Sequence, residues 1–219
     1  TRRSSSAASD VYKRQNPDYG TASPHSSDGS QSTNMNNPPA VIVNKSGTAG
    51  NYITLRNLPG HNPKIKFDGR GGILINGPQS YLIIEGFEIE GPGASITYDQ
   101  AIADRKWKVK ADQEDLNYNH SYFASFGIWS GFSQDFLHHH VIIRNNIVHH
   151  TTGSGIRFND SDHITIENNT VYNTTWWTSN ASSAIVFAEC KALSNNDNGD
   201  DIKMIMRGNT VYNNWNRIP

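Results

Sequence analysis

Tyr81-Leu-Ile-Ile-Glu-Gly-Phe-Glu-Ile-Glu-Gly91 aligns without gaps with three later stretches of the chain. They are His140-Val-Ile-Ile-Arg-Asn-Asn-Ile-Val-His-His150, His163-Ile-Thr-Ile-Glu-Asn-Asn-Thr-Val-Tyr-Asn173 and Lys203-Met-Ile-Met-Arg-Gly-Asn-Thr-Val-Tyr-Asn213. Their starts lie 59, 23 and 40 residues apart. An internal repeat of this size is the mark of a solenoid. The offset of 23 residues suits one coil of a parallel β-helix, with three short strands and three turns. The larger offsets are read as coils carrying long loops, because loop-closure entropy grows only slowly with loop length.

A second run precedes each repeat: Gly72-Ile-Leu-Ile75, Gly127-Ile-Trp-Ser130, Gly155-Ile-Arg-Phe158 and Ala184-Ile-Val-Phe187. Each coil therefore reads as a first strand opening Gly-Ile, a second strand of the Val-Ile-Ile type, a turn at Asn-Asn and a third strand ending Val-Tyr. Val41 to Val43, Tyr52 to Arg56 and Lys64 to Phe67 are read as an irregular opening coil. Period-two alternation assigns the faces. Leu82, Val141, Ile164 and Met204 form one inward stack. Ile84, Ile143, Ile166 and Met206 form the next, and Ile89, Val148, Val171 and Val211 a third. No single coil can bury such residues alone, so the repeat is structural first. Asn146, Asn169 and Asn209 share one turn slot, where stacked amides can hydrogen-bond from coil to coil. Phe87 fills that slot in the preceding coil, so the ladder is expected to begin at Asn146. Glu85, Arg144, Glu167 and Arg207 alternate in sign on the outer face and read as a register-fixing surface ladder.

The rest of the composition agrees with an all-β solenoid. Charged residues make up 18% and the formal net charge is -1, so no field draws nucleic acid or an anionic membrane. No apolar run approaches the ~18 residues of a membrane span. The single Cys190 leaves no intrachain disulfide. Only Tyr98 to Ala111 carries a helical pattern. Residues 1–15 resemble translated sequencing-adaptor sequence at the end of a metagenomic reading frame, with a native tail as the alternative. They are set outside the fold. Residues 16–39 are Asn-, Ser-, Gly- and Pro-rich with few aliphatics and read as a disordered linker. Residues 40–219 are read as the β-helix domain, incomplete at its C-terminal end. An open end should expose Met204, Met206 and Val211 and make this chain poorly soluble, while a full-length parent is expected to be a monomer.

Gly47-Thr-Ala-Gly-Asn-Tyr-Ile-Thr-Leu-Arg56 with Pro63-Lys-Ile-Lys-Phe-Asp-Gly69 resembles the opening coil of bacterial right-handed parallel β-helix proteins. Gly155-Ile-Arg-Phe-Asn159 with Trp176-Trp-Thr-Ser-Asn-Ala-Ser-Ser-Ala-Ile-Val186 is similar to secreted bacterial proteins of the pectin-lyase-like superfamily. More distantly, the chain resembles alginate-lyase and chondroitinase-B-like enzymes. The resemblance implies a single-stranded right-handed parallel β-helix with three short sheets, a secreted or cell-surface setting and an acidic polysaccharide as substrate. It also implies a site on the outer face of the first strands, walled by loops. The Lys and Arg catalytic motif of alginate lyases has no counterpart at matching positions here.

On that face the outward residues are Trp129, Arg157 and Asn159. Trp129, Trp176 and Trp177 are expected to stack on sugar rings, and Asn159 to bind substrate. Two reactions fit. A β-eliminating lyase would use Arg157, His150 or Lys191 to quench a uronate carboxylate and remove the adjacent proton. A hydrolase would use carboxylates such as Asp160, Asp162 and Glu189. Each of these also reads as an ordinary turn or surface charge, Arg157 pairing with Asp160 or Glu189. A glycan-binding or surface-structural β-helix without catalysis is the alternative function. No metal is assigned. His138-His139-His140 and His149-His150 are adjacent on strands, where neighbouring side chains point apart. Asp197, Asp200 and Asp201, with Asn195, Asn196 and Asn198, make an oxygen-rich loop whose donors suit Ca²⁺, but the spacing matches no EF-hand and a plain acidic loop is the preferred reading.

Overall fold

The structure is a computed structural model that describes residues 11–14, 39–115, 122–131, 137–193 and 202–218. Strand β1 (Val11–Arg14) comes first. Five coils follow. They are β2 (Val41–Val43), β3 (Ile53–Arg56) and β4 (Lys64–Phe67); then β5 (Gly71–Ile75), β6 (Ser80–Glu85) and β7 (Glu88–Glu90). Next come β8 (Phe126–Ser130), β9 (His138–Arg144) and β10 (Ile147–His149); then β11 (Ile156–Asn159), β12 (Ser161–Glu167) and β13 (Thr170–Tyr172). The last coil holds β14 (Ile185–Ala188), β15 (Met204–Arg207) and β16 (Thr210–Tyr212). The first strands pair as the sheet β14-β11-β8-β5-β2, the second as β15-β12-β9-β6-β3 and the third as β1-β4-β7-β10-β13-β16. Every pairing between these strands is parallel, and the chain is an all-β parallel β-helix.

The register follows the sequence alignment. Leu82 lies beside Val141, which lies beside Ile164 and then Met204. In the first sheet Ile73, Ile128, Ile156 and Ile185 share a slot. The inward residues of the middle coils are at most 1% exposed, and each such side chain contributes roughly 1.5–3 kcal/mol over an exposed one. In the fifth coil Met206 is 48% and Val211 49% exposed, while Met204 is half-buried and packs on the core. One strand was not expected. Val11–Arg14, set outside the fold on its sequence, runs in register with Lys64–Phe67. The outer edge of β4 would otherwise present unpaired backbone groups, and β1 pairs with it.

The corners explain why the repeat keeps its spacing. Its first, sixth and eleventh positions take left-handed backbone, except at Lys203 and at Gly91, whose φ is -91°. At the first, Tyr81, His140 and His163 have φ of 54°, 53° and 51°. At the sixth, Asn145 and Asn168 both have φ of 55°, while Gly86 has 80° and Gly208 63°. At the eleventh, His150, Asn173 and Asn213 have 54°, 54° and 55°. Glycine enters this region at little cost and Asn more easily than other side chains, which accounts for the Gly/Asn choice at the sixth position. The Asn ladder sits one residue later. Asn146 N donates to Asn169 Oδ1 at 3.0 Å, and Asn169 N donates to Asn209 Oδ1 at 2.9 Å. Phe87 N donates to Asn146 Oδ1 at 3.1 Å, so the ladder does begin at Asn146. On the outer surface Arg144 meets Glu85 at 2.6 Å and Arg207 meets Glu167 at 2.8 Å.

Between β7 and β8 the chain leaves the solenoid. A 3-10 turn (Pro92–Ser95) leads to α1 (Tyr98–Gln113), longer than its sequence pattern suggested. Thr97 and Gln100 form a reciprocal capping box at its start. Ala101 of α1 packs with Ile96, Phe123, Trp176, Trp177 and Ile218 in a second, smaller core.

Candidate functional site

Residues at the C-terminal ends of β11 and β14 form the candidate site. Asn159 is in register with Ala188, so the turn residues that follow, Asp160 and Glu189, occupy equivalent places in adjacent coils. Both take left-handed backbone, with φ of 42° and 53°. Arg157 projects outward from β11 and is half-buried, with its guanidinium 5.9 Å from the Phe126 ring. Its Nε donates to Asn159 Oδ1 at 3.1 Å. Burial lowers the Arg157 pKa, and the Glu189 carboxylate nearby works against that shift. Asn159 is only 2% exposed. Its backbone N donates to Ser130 Oγ at 2.8 Å, but its side-chain Nδ2 has no hydrogen-bond partner. Asp160 is buried, and the Lys191 ammonium reaches its Oδ1 at 2.6 Å. Asp160 thus pairs with Lys191 across the coils. Glu189 is exposed at the margin. Arg157 and Asn159 lie together on the outer face of the first sheet with Glu189 nearby, and the Asp160–Lys191 pair lies at the corner that follows.

Of four other residues expected here, Trp129 is covered and three sit elsewhere. Trp129 does point outward from the solenoid, in register with Arg157, yet is 1% exposed. Its ring lies over Gly71, where a Cβ would collide with it, and against Phe126 at 5.7 Å. That leaves no open ring face for a sugar. Trp176 and Trp177 are 8% and 6% exposed and belong to the second core. Their indole N–H groups donate to Asn213 O at 2.9 Å and Gly93 O at 2.7 Å. Long loops need a core of their own, and these rings supply it. His150 lies at the end of the third strand, against His149, Asn173 and Trp176.

The histidine pairs correct a point of geometry. Adjacent residues on a regular strand point apart, but His140 and His150 occupy left-handed corners and turn back onto their neighbours. His139 Nδ1 lies 2.8 Å from His140 Nδ1, and His149 Nδ1 lies 2.6 Å from His150 Nδ1. Tyr81, His140 and His163 stack along the solenoid, at 4.8 Å and 4.6 Å between ring centres. Burial lowers the pKa of His139 and His140, and the His163 ring adds to it.

The outer face of the third sheet carries a network that the sequence reading overlooked. Lys64 Nζ spans Glu88 Oε1 at 2.7 Å and Glu90 Oε2 at 2.8 Å, and Lys66 meets Glu90 Oε1 at 2.6 Å. His149 Nε2 lies 3.0 Å from Glu88 Oε1. The polarity of this chain follows from its ends. Asn173 Nδ2 donates to His150 Nε2, so His150 carries its proton on Nδ1 and donates to His149 Nδ1. His149 then donates through Nε2 to the carboxylate. Tyr172 stacks on His149 at 4.8 Å and on Tyr212 at 5.0 Å. Burial works to raise the Glu90 pKa, but Lys64 and Lys66 outweigh it and hold the carboxyl at about 2. Burial lowers the His149 pKa despite its bond to Glu88. One ligand atom each from Glu88, Glu90 and His149 lies within 4.8 Å of the others, a spacing that suits a metal ion. The Lys64 ammonium already occupies the cation position between the carboxylates. The signal was present in the sequence: Glu88 and Glu90 are outward positions of the repeat, as Lys64 and Lys66 are in the coil before. The loop of Asp197, Asp200 and Asp201 considered for Ca²⁺ lies outside the described residues.

The first-sheet patch combines a half-buried cation and a buried unsatisfied donor, both suited to an oxyanion. Comparison with protein-family models, curated proteins and solved structures finds no match for this chain.

Proposed function

We propose that this chain recognises an acidic polysaccharide along the outer face of the first sheet, with Arg157 and Asn159 holding a carboxylate or sulfate group. The observation that carries this reading is Asn159. Its Oδ1 orients the guanidinium at 3.1 Å, while its Nδ2 is a buried donor with no partner. Such a donor costs about 1–3 kcal/mol when left unmade, and a ligand oxygen that displaces the groups covering it would satisfy it. Charge-assisted pairing with a guanidinium strengthens as water is excluded, and Arg157 is half-buried. The long side of a solenoid suits an extended polymer. A kinship with the pectin-lyase-like superfamily and a secreted or surface setting belong to the same proposal.

Cleavage is the second reading, favoured by the exposed Glu189 carboxylate and the Lys191–Asp160 pair bordering the anchor. In a lyase Arg157 would quench the uronate carboxylate while a bordering group removes the adjacent proton. In a hydrolase Asp160 and Glu189 would be the carboxylate pair. The test incubates the full chain and its Arg157→Ala variant with polygalacturonate, alginate and chondroitin sulfate. Retention without new chain ends means recognition alone. New unsaturated ends mean a lyase, and new reducing ends alone mean a hydrolase. Arg157→Ala should weaken retention at least tenfold with an unchanged melting temperature. Failure to retain or cleave any of the three polymers refutes the proposal.

A further inference from the structure

A cavity that shares no residue with the first-sheet patch lies against α1. Residues of α1 and of the 178–181 loop enclose an open cavity of about 350 Å³. Arg105, Lys108 and Asp112 of α1 form one wall, Thr178, Ser179 and Asn180 the other, and Asn216 closes one side. The volume is at the low end of the ~300–1,000 Å³ range of small-molecule sites, which suits a sugar unit rather than a polymer segment.

Three features give the cavity its chemistry. First, hydrogen bonds shape the loop wall. Thr178 Oγ1 accepts from Asn180 N at 3.0 Å, and Asn216 Nδ2 donates to Thr178 O at 2.9 Å. Beneath it, Trp177 is fixed in the second core by its bond to Gly93 O. Second, the Ser179 hydroxyl is buried and has no hydrogen-bond partner. Hydroxyl and amide side chains beside such an atom match the alternating donors and acceptors of a sugar ring. Third, a cation lines the cavity. Lys108 pairs with Asp112 at 2.6 Å, and the exposed Arg105 guanidinium has no ion-pair partner among the described residues.

We propose that this cavity is a subsite for one sugar unit bearing a carboxylate or a sulfate, with Arg105 on the anionic group and Ser179 on a ring hydroxyl. The choice of an acidic sugar over other anions rests on the reading of the first sheet. The two sites are separable, because the cavity uses no residue of the Arg157–Asn159 patch.

Isothermal titration of the full chain with glucuronate and with glucose 6-sulfate tests the proposal. Glucose and inorganic sulfate serve as comparators that lack the charge or the ring. At least one acidic sugar should bind at least tenfold more tightly than either comparator. Arg105→Gln should weaken that binding about tenfold and Ser179→Ala severalfold, while Arg157→Ala leaves it unchanged. Circular dichroism checks that each variant is folded. Four results overturn the subsite: no binding of either acidic sugar, inorganic sulfate binding as tightly as the sugars, binding that survives Arg105→Gln, or binding lost in Arg157→Ala instead. Acidic-sugar binding that depends on Arg105, in a chain that retains no acidic polymer, would refute the first-sheet reading and leave the cavity standing.

Discussion

Asn169→Ala removes the middle rung of the amide ladder, and its cost can be worked from the bonds it breaks. Asn169 is 1% exposed. Its Oδ1 accepts from Asn146 N at 3.0 Å and from Asn146 Nδ2 at 3.1 Å. Its Nδ2 donates to Ile143 O at 2.9 Å, Glu167 O at 3.1 Å and Asn209 Oδ1 at 3.1 Å. Alanine therefore strands the Asn146 backbone N–H in a dry turn and strips bonds from both neighbouring coils. A buried donor left without an acceptor costs about 1–3 kcal/mol and each further net hydrogen bond about 1 kcal/mol. Some of the remaining groups keep other partners: Asn146 Nδ2 also reaches Ile84 O at 3.0 Å. The net loss is about 4 kcal/mol, a large part of the ~5–15 kcal/mol that holds a typical domain. For a chain of this size that corresponds to a fall of roughly 8–16 °C in melting temperature. Thermal unfolding followed by circular dichroism measures it. Asn209→Ala, at the half-buried last rung, should cost less because one interface is affected rather than two. A fall under about 2 °C for Asn169→Ala would refute the claim that this ladder locks the coils together.

Two further predictions follow from packing and charge. Gly155→Ala would place a Cβ 2.5 Å from Val171 Cγ1 and 2.8 Å from Ala184 O, so it should destabilise by about 2 kcal/mol; an unchanged urea midpoint would show that the coils can spread. Acid should destabilise the fold in two stages. His138 and His149 have pKa values lowered from 6.5, in each case chiefly by burial, so the unfolded chain binds more protons below that pH. Their contribution is fully present above pH 6.5 and falls by up to about 1.4 kcal/mol per pH unit for each histidine as pH drops through the window below it. The Glu90 contribution follows, present above 4.5 and lost as pH approaches about 2. A melting temperature flat between pH 7.5 and 5 would contradict the first stage, and His149→Gln should flatten part of the slope.

Much of the fold was legible because a solenoid writes its register into the sequence. The slot shared by Ile73, Ile128, Ile156 and Ile185 is a column of the alignment and a row of the first sheet. Asn146, Asn169 and Asn209 were readable for the same reason. The site was less legible. Period-two alternation says which way Trp129 points, but not whether a loop covers it, and it is 1% exposed. Trp176 and Trp177 lie in a loop outside the repeat, where no periodicity separates a platform from a core. The convergence of His149 and His150 depends on one positive φ that a strand pattern does not reveal. The Lys64–Glu88–Glu90–His149 network was readable in principle, since all four are outward positions of the third strands.

The most direct test of an anion anchor at the first sheet is Asn159→Asp, read as retention on an immobilised acidic polysaccharide. The substitution keeps the shape and the acceptor for Arg157 Nε, now at 3.1 Å from Oδ1. It replaces the unpartnered Nδ2 donor with a carboxylate oxygen, which compensates the guanidinium and repels a ligand anion. Retention should fall at least tenfold while the melting temperature stays level or rises, because the new carboxylate pairs with Arg157. Retention equal to that of the unaltered chain, with the variant folded, would contradict the account: the buried donor and the guanidinium would then not be where the glycan is held.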